Sequence, residues 1–180
     1  MEYYAGEQPP ETVSMRLKCG KCGHEASYKL TRIFIRPEIR KAKSAEALTR
    51  RVSFGDYFRC KKCASAWPWE LTSEAYLELS ALMLTHIGGK KDERLVFALP
   101  QLFDGSPVYS LAQAEEYLLA ILQREPDNSF VWSRLGNIYE KAGLIEKAAQ
   151  AFTRALELNP QDLESIRVEF PAACGVECFA

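Results

Sequence analysis

Two Cys-x₂-Cys pairs are the residues of this chain best suited to chemistry: Cys19 with Cys22, and Cys60 with Cys63. A Cys-x₂-Cys turn places two sulfurs side by side, and thiolates are ligands that zinc and iron take readily. Two such pairs supply the four donors of a closed tetrahedral site, which leaves no position for a catalytic water. The spacing therefore predicts a structural Zn²⁺ site.

Alternatives to this assignment stay open at the level of sequence. The same four sulfurs suit an iron centre of the kind found in redox carriers. His24 lies beside the first pair, but four cysteines already complete the shell, so we interpret it as a surface residue. Cys174 and Cys178 form one further pair near the C-terminus, and we assign them to a tail.

The first pair lies in the sequence Cys19-Gly20-Lys21-Cys22-Gly23-His24, which resembles the knuckle of zinc-ribbon and rubredoxin-like proteins. The second pair departs from that pattern, because Ala64 stands where glycine is frequent. The resemblance implies a small three-stranded ribbon. A unit of this size buries little apolar surface, so bound zinc is expected to decide its stability.

Composition and charge set the class of protein. The chain has 180 residues, of which 47% are hydrophobic and 26% charged, as in globular proteins. No apolar run is long enough for a membrane span, and residues 1–10 do not resemble a signal peptide, so we expect a cytoplasmic protein. Residues 1–70 hold 14 Lys or Arg against 8 Asp or Glu, whereas residues 71–180 hold 9 against 16.

The pattern of elements predicts an α+β fold that is mostly α. Strands are expected at 27–35, 57–58 and 66–69, and a helix at 71–87 with Thr72 or Ser73 as its N-cap and Gly88-Gly89 at its end. The predicted division is a flexible lead-in at 1–14, a zinc ribbon with a basic insertion at 15–70, a connecting helix at 71–89, a linker at 90–109, a helical repeat region at 110–170 and a tail at 171–180.

A helical repeat is indicated by Trp132, Leu135, Gly136 and Tyr139, continued by Ala148, Phe152, Ala155 and Pro160. This pattern resembles the tetratricopeptide repeat. The resemblance implies helices at 129–142 and 145–158, a full repeat at about 127–160, a degenerate half repeat before it and a capping helix after Pro160. It also implies a surface that binds a protein or peptide.

The resemblance assigns partner contacts to the concave face of the first repeat helix, which would present Phe130, Ser133, Asn137, Glu140 and Lys141. Asn137 occupies a position used by family members that hold a peptide carboxylate, but Ser133 stands where a basic residue of that clamp would be. A region with so few repeats has uncovered ends, and self-association is an alternative way to bury these ends.

Nucleic acid is the alternative partner. Basic residues gather in and around the insertion, and this hypothesis assigns contacts to Arg36, Arg40, Lys41, Lys43, Arg50 and Arg51. No Ser-His-Asp set, phosphate-binding glycine loop or paired-acid metal motif occurs in the sequence. We therefore expect a non-enzymatic adaptor rather than an enzyme.

Overall fold

The fold is described from a computed structural model that covers residues 11–36, 51–90 and 92–162. Strands dominate the N-terminal part and helices the C-terminal part, which confirms the predicted α+β class. The chain divides into two compact units, with the boundary between Ala114 and Glu115. Among the helices that these residues form, none has both the length and the apolar character needed to cross a membrane.

The first sheet carries the first cysteine pair. It consists of β1 (Val13–Cys19), β2 (Glu25–Leu30) and β5 (Trp69–Leu71) in the order β2-β1-β5, and all pairs are antiparallel. In β1 alternate side chains are buried, which gives the strand an apolar inner face ending at Cys19. This strand was not predicted from the sequence, and residues 13 and 14 were expected in the lead-in.

A second sheet lies within the same unit. It consists of β3 (Ile33–Ile35), β4 (Val52–Phe54) and β6 (Leu95–Val96) in the order β4-β3-β6, with β3 antiparallel to β4 and parallel to β6. The single strand predicted at 27–35 is thus wrong, because the chain breaks at Thr31. The Thr31 amide and hydroxyl donate to the Asp56 carboxylate at 3.0 and 2.8 Å, which turns the chain from one sheet into the other.

Aromatic rings fill the core of this unit. The Phe58 ring lies 4.8 Å from that of Tyr28 and 5.0 Å from that of Trp69, measured between centroids. Phe58 therefore packs as a core residue, and the strand predicted at 57–58 is absent from the described secondary structure. Cys19 and Cys60 belong to the same buried cluster, so the cysteines are built against the core.

The helix predicted at 71–87 is α1 (Ser73–Ile87). The Thr72 hydroxyl accepts from the Ala75 amide at 3.2 Å, as expected of an N-cap, and it donates to the Arg16 carbonyl in β1 at 2.7 Å. Leu71 lies in β5 instead of the helix. The helix buries Ala75, Leu79 and Leu82 in the core of the unit.

Residues 90–109, expected as a linker, contribute to the first unit. Leu95 is buried in β6, and the Ile33 amide donates to the Arg94 carbonyl at 2.7 Å. The Phe54 amide likewise donates to the Tyr109 carbonyl at 2.9 Å. A segment that shares hydrogen bonds with two strands of a sheet is part of the sheet's structure, and the expectation of an open connection is corrected accordingly.

Up to residue 162, where the described part ends, three further helices follow: α2 (Leu111–Leu122), α3 (Ser129–Lys141) and α4 (Ile145–Leu158). The last two agree with the repeat helices predicted at 129–142 and 145–158. Gly143, at φ +70°, makes the turn between them. A Cβ on Gly136 would lie 2.6 Å from the Phe152 ring, so glycine is what lets α3 and α4 approach this closely.

Several predictions fall on parts of the chain outside the described residues. These are the lead-in at 1–10, most of the basic insertion, the capping helix after Pro160 and the tail with Cys174 and Cys178.

Candidate metal centre and repeat surface

The four predicted cysteine ligands converge on one point. All four Sγ atoms lie within 4.8 Å of one another. Cys19 and Cys63 are 3.7 Å apart, and Cys22 and Cys60 are 3.6 Å apart, measured between Sγ atoms. A tetrahedral ion with metal–sulfur bonds of about 2.3 Å separates its ligands by about 3.8 Å. These two sulfur pairs therefore have the spacing of ligands in a tetrahedral metal shell, and the remaining pairs lie within 4.8 Å.

The distances between these sulfurs also show that the cysteines do not form disulfide bonds with one another. All four cysteines are free, and sulfurs 3.6 Å apart are well beyond the ~2.05 Å of a disulfide bond. Each close sulfur pair joins one knuckle to the other, so the cluster links β1 to the segment before β5. His24 is not among the grouped donors.

The two knuckles share one backbone design. In the first, the Cys19 amide donates to the His24 carbonyl at 2.9 Å, and the Gly23 amide to the Cys19 carbonyl at 2.8 Å. In the second, the Cys60 amide donates to the Ser65 carbonyl and the Ala64 amide to the Cys60 carbonyl, both at 2.9 Å. The departure from the ribbon pattern noted at Ala64 thus leaves the fold of the second knuckle unchanged.

The residue after each knuckle adopts the left-handed conformation, with φ +72° at Gly23 and φ +56° at Ala64. In a non-glycine residue this conformation costs about 1–2 kcal/mol, partly offset by the greater freedom of glycine in the unfolded chain. We expect Ala64→Gly to raise the free energy of unfolding by about 0.5–1 kcal/mol. Urea denaturation of the metal-loaded protein measures this change.

Gly23→Ala is the matched control for that substitution. A Cβ on Gly23 has nothing within 4 Å, so only backbone strain changes. It should lower the free energy of unfolding by about 1 kcal/mol. If both substitutions shifted stability in the same direction, backbone conformation would not be the property that limits the second knuckle.

Backbone dipoles favour thiolate at the cluster. The amides of Cys63 and Lys62, together with hydrogen bonds from the Cys22 and Cys63 thiols, lower the pKa of the Cys60 thiol to about 6, whereas burial and the same thiol contacts raise that of Cys22. The Lys62 nitrogen lies 3.5 Å from the Cys60 sulfur. Lys61 is directed elsewhere: its ammonium donates to the Ser27 carbonyl at 3.0 Å and lies 5.2 Å from the centroid of the Tyr28 ring. Amide groups, rather than the Lys61 ammonium, therefore stabilise negative charge on Cys60.

The first knuckle is held against the segment before β5. The Gly20 amide donates to the Pro68 carbonyl at 2.8 Å, and a Cβ on Gly20 would lie 2.8 Å from Pro68 Cγ. This close approach fixes the distance between β1 and the chain that follows the second knuckle.

Of the predicted partner contacts on α3, most are accessible. Phe130, Glu140 and Lys141 are exposed and Asn137 is half-buried, but Ser133 is buried with 1% of its surface exposed. Burial removes Ser133 from the accessible part of this surface.

Arg134 is a half-buried residue of α3 that was absent from the predicted contacts. Its guanidinium lies 4.6 Å from the centroid of the Phe130 ring. Phe130, Arg134, Asn137 and Lys141 follow one another at spacings of four, three and four, so they share one side of the helix. We call these four residues the α3 stripe. Helical spacing alone was sufficient to find Arg134.

The residues assigned to nucleic acid are divided by the structure. Arg36 directly follows β3, and Arg51, which lies opposite it, directly precedes β4. The Arg36 amide donates to the Arg51 carbonyl at 3.0 Å. Arg40, Lys41, Lys43 and Arg50 lie outside the described residues.

Comparison with known proteins supports the repeat. Residues 129–162 match the tetratricopeptide repeat family. Neither a curated protein nor a solved structure gives a significant match. The chain thus contains a tetratricopeptide repeat formed by α3 and α4, and its four clustered cysteines are consistent with a zinc-ribbon-like unit.

Proposed function

We propose that this protein is a non-enzymatic, zinc-containing adaptor that binds a protein or peptide through its tetratricopeptide repeat. The observation that carries this proposal is the family match over α3 and α4, since repeats of this type are interaction modules with no chemistry of their own. The cysteine cluster contributes structure, because four protein ligands leave a tetrahedral ion no open position.

The α3 stripe is the partner-binding surface in this proposal. The residues that fill the repeat, such as Leu135 and Phe152, are buried and cannot reach a ligand. The stripe instead carries exposed side chains at Phe130 and Lys141 and half-buried polar side chains at Arg134 and Asn137. An apolar anchor beside hydrogen-bonding groups is the combination that a peptide groove requires.

Zinc is the metal that we propose. Reduced cysteines are expected in the cytoplasm, where we place the protein, and zinc prefers a tetrahedral thiolate shell. Iron would fit the same sulfurs. Elemental analysis of the purified chain distinguishes the two metals: one equivalent of zinc in a colourless preparation supports the proposal, and a red preparation with iron overturns the assignment.

The adaptor role is tested by affinity capture from native lysate. A variant with Phe130→Ala and Asn137→Ala should lose the captured partner, whereas Ile145→Ala, which truncates an exposed apolar side chain of α4, should retain it. Helical circular dichroism checks that both variants fold. Equal capture by all three proteins would show that the α3 stripe is not the binding surface.

A further inference from the structure

A second surface of the molecule, on the sheet β4-β3-β6, groups arginines with aromatic rings. Arg32, Phe34 and Arg36 alternate along the β3 segment, so their side chains leave the same face of the sheet. Arg51 lies opposite Arg36 and Tyr109 contacts Arg36. We call these five residues the arginine face.

Arg36 is held in position by an aromatic stack. Its guanidinium lies 5.4 Å from the centroid of the Tyr109 ring and donates to the Tyr109 hydroxyl at 3.2 Å. Tyr109 in turn stacks on Trp67, with ring centroids 4.1 Å apart and planes inclined by 22°. A guanidinium fixed in this way loses little side-chain entropy when it binds a further group.

The residues on and around the arginine face carry mostly positive charge. Residues 27–36 and 51–63 contain seven Lys or Arg and one carboxylate, Asp56, which is already bonded to the Thr31 amide and hydroxyl. Within the described residues, neither Arg32 nor Arg36 forms an ion pair with a carboxylate.

We infer that the arginine face binds single-stranded nucleic acid, with phosphates at Arg32, Arg36 and Arg51 and a base stacked on Phe34. Phosphate suits the planar guanidinium fork, and the half-buried Phe34 ring lies between Arg32 and Arg36 on the same face. Bases of a single strand are free to stack on such a ring, whereas those of a duplex are not. This site lies in the first unit and does not depend on what the repeat binds.

Fluorescence anisotropy of a fluorescein-labelled thymidine 20-mer tests the site with the full metal-loaded chain. Three phosphate contacts on a single strand predict a slope of about −2 in log K against log salt, so binding should weaken about 20-fold between 50 and 200 mM NaCl. The triple variant Arg32→Gln/Arg36→Gln/Arg51→Gln should bind at least tenfold more weakly at 50 mM and lose most of the salt dependence.

The matched control removes the same charge from the other sheet of the unit, with Arg16→Gln/Lys18→Gln/Lys29→Gln. This control variant should retain both the affinity and the salt dependence of binding. If the two triple variants weakened binding equally, the net charge of the protein would explain the effect, and the proposed site would be wrong. Tyr109→Phe removes only the hydroxyl that holds Arg36, so it should weaken binding several-fold in a folded protein.

Two further probes separate nucleic acid from other anions. Phe34→Leu should weaken binding of the thymidine 20-mer at least fivefold but leave binding of an abasic 20-mer unchanged, because only the former has a base to stack. Inorganic polyphosphate or phosphatidylserine vesicles that bind as tightly as the thymidine 20-mer would overturn the inference.

Discussion

Chelation of zinc from the full chain is expected to unfold the β2-β1-β5 sheet and its aromatic core. Cys19 and Cys60 are buried in the same cluster as Tyr28 and Trp69, with Phe58 packed against it, so an ion held by these cysteines would be part of the core. Structural zinc contributes on the order of 10 kcal/mol to the folding of such units, which is comparable to the whole stability of a small domain. Tryptophan fluorescence and near-ultraviolet circular dichroism, followed during chelator titration, measure this transition.

Cys60→Ser should reproduce the effect of the chelator, since it removes a buried ligand. The double substitution Cys174→Ser/Cys178→Ser makes the same chemical change in the predicted tail and should leave the zinc content at one equivalent. If the apo protein kept the tryptophan spectrum and the unfolding midpoint of the loaded protein, the metal would not be what stabilises this core.

The second large effect is expected in the tetratricopeptide repeat. Phe152 is fully buried between α3 and α4, and Phe152→Ala should lower the free energy of unfolding by about 3–5 kcal/mol through the cavity that it leaves. Urea denaturation followed by circular dichroism at 222 nm reports this loss. Phe130→Ala truncates an exposed ring of α3 and should change stability by less than about 0.5 kcal/mol.

A double-mutant cycle with Gly136 tests the same contact. Gly136→Ala alone places a methyl group against the Phe152 ring, where the Cβ position is 2.6 Å from the nearest ring carbon, and should cost about 1–3 kcal/mol. In the double variant with Phe152→Ala, the methyl group added at Gly136 lies in the cavity that the Phe152 ring has left. The double variant should therefore lose less stability than the sum of the losses of the two single variants. Strictly additive losses would contradict the packing described for α3 and α4.

The features predicted correctly from sequence are those encoded by neighbouring residues. A Cys-x₂-Cys turn and a helix with its cap are specified within a few positions, so the two knuckles, α1 and the two repeat helices were all found. The arrangement of strands was not. The break at Thr31 depends on Asp56, and β6 pairs with β3 across some sixty residues, contacts that no local pattern reveals.

The surface of the repeat shows a similar limit. Family position indicated Ser133 as a contact residue, but the residue is buried, and the accessible side of α3 includes Arg134 instead. The position of a residue within the repeat predicts the side of the helix on which it lies. The packing of neighbouring residues decides whether its side chain is exposed to solvent. Phe130, Asn137 and Lys141 of the α3 stripe were among the predicted contacts, and helical spacing adds Arg134, so the structure was needed only to exclude Ser133.

The hydroxyl of Thr72 links the start of α1 to β1, the strand that ends at Cys19. It caps α1 through the Ala75 amide and also donates to the Arg16 carbonyl, three residues before Cys19 in β1. Fraying of the helix start breaks the first of these hydrogen bonds, and opening of the strand that bears Cys19 breaks the second, so either motion releases the Thr72 hydroxyl from one partner. We therefore expect the two segments to open together and their amide protons to exchange with solvent at similar rates.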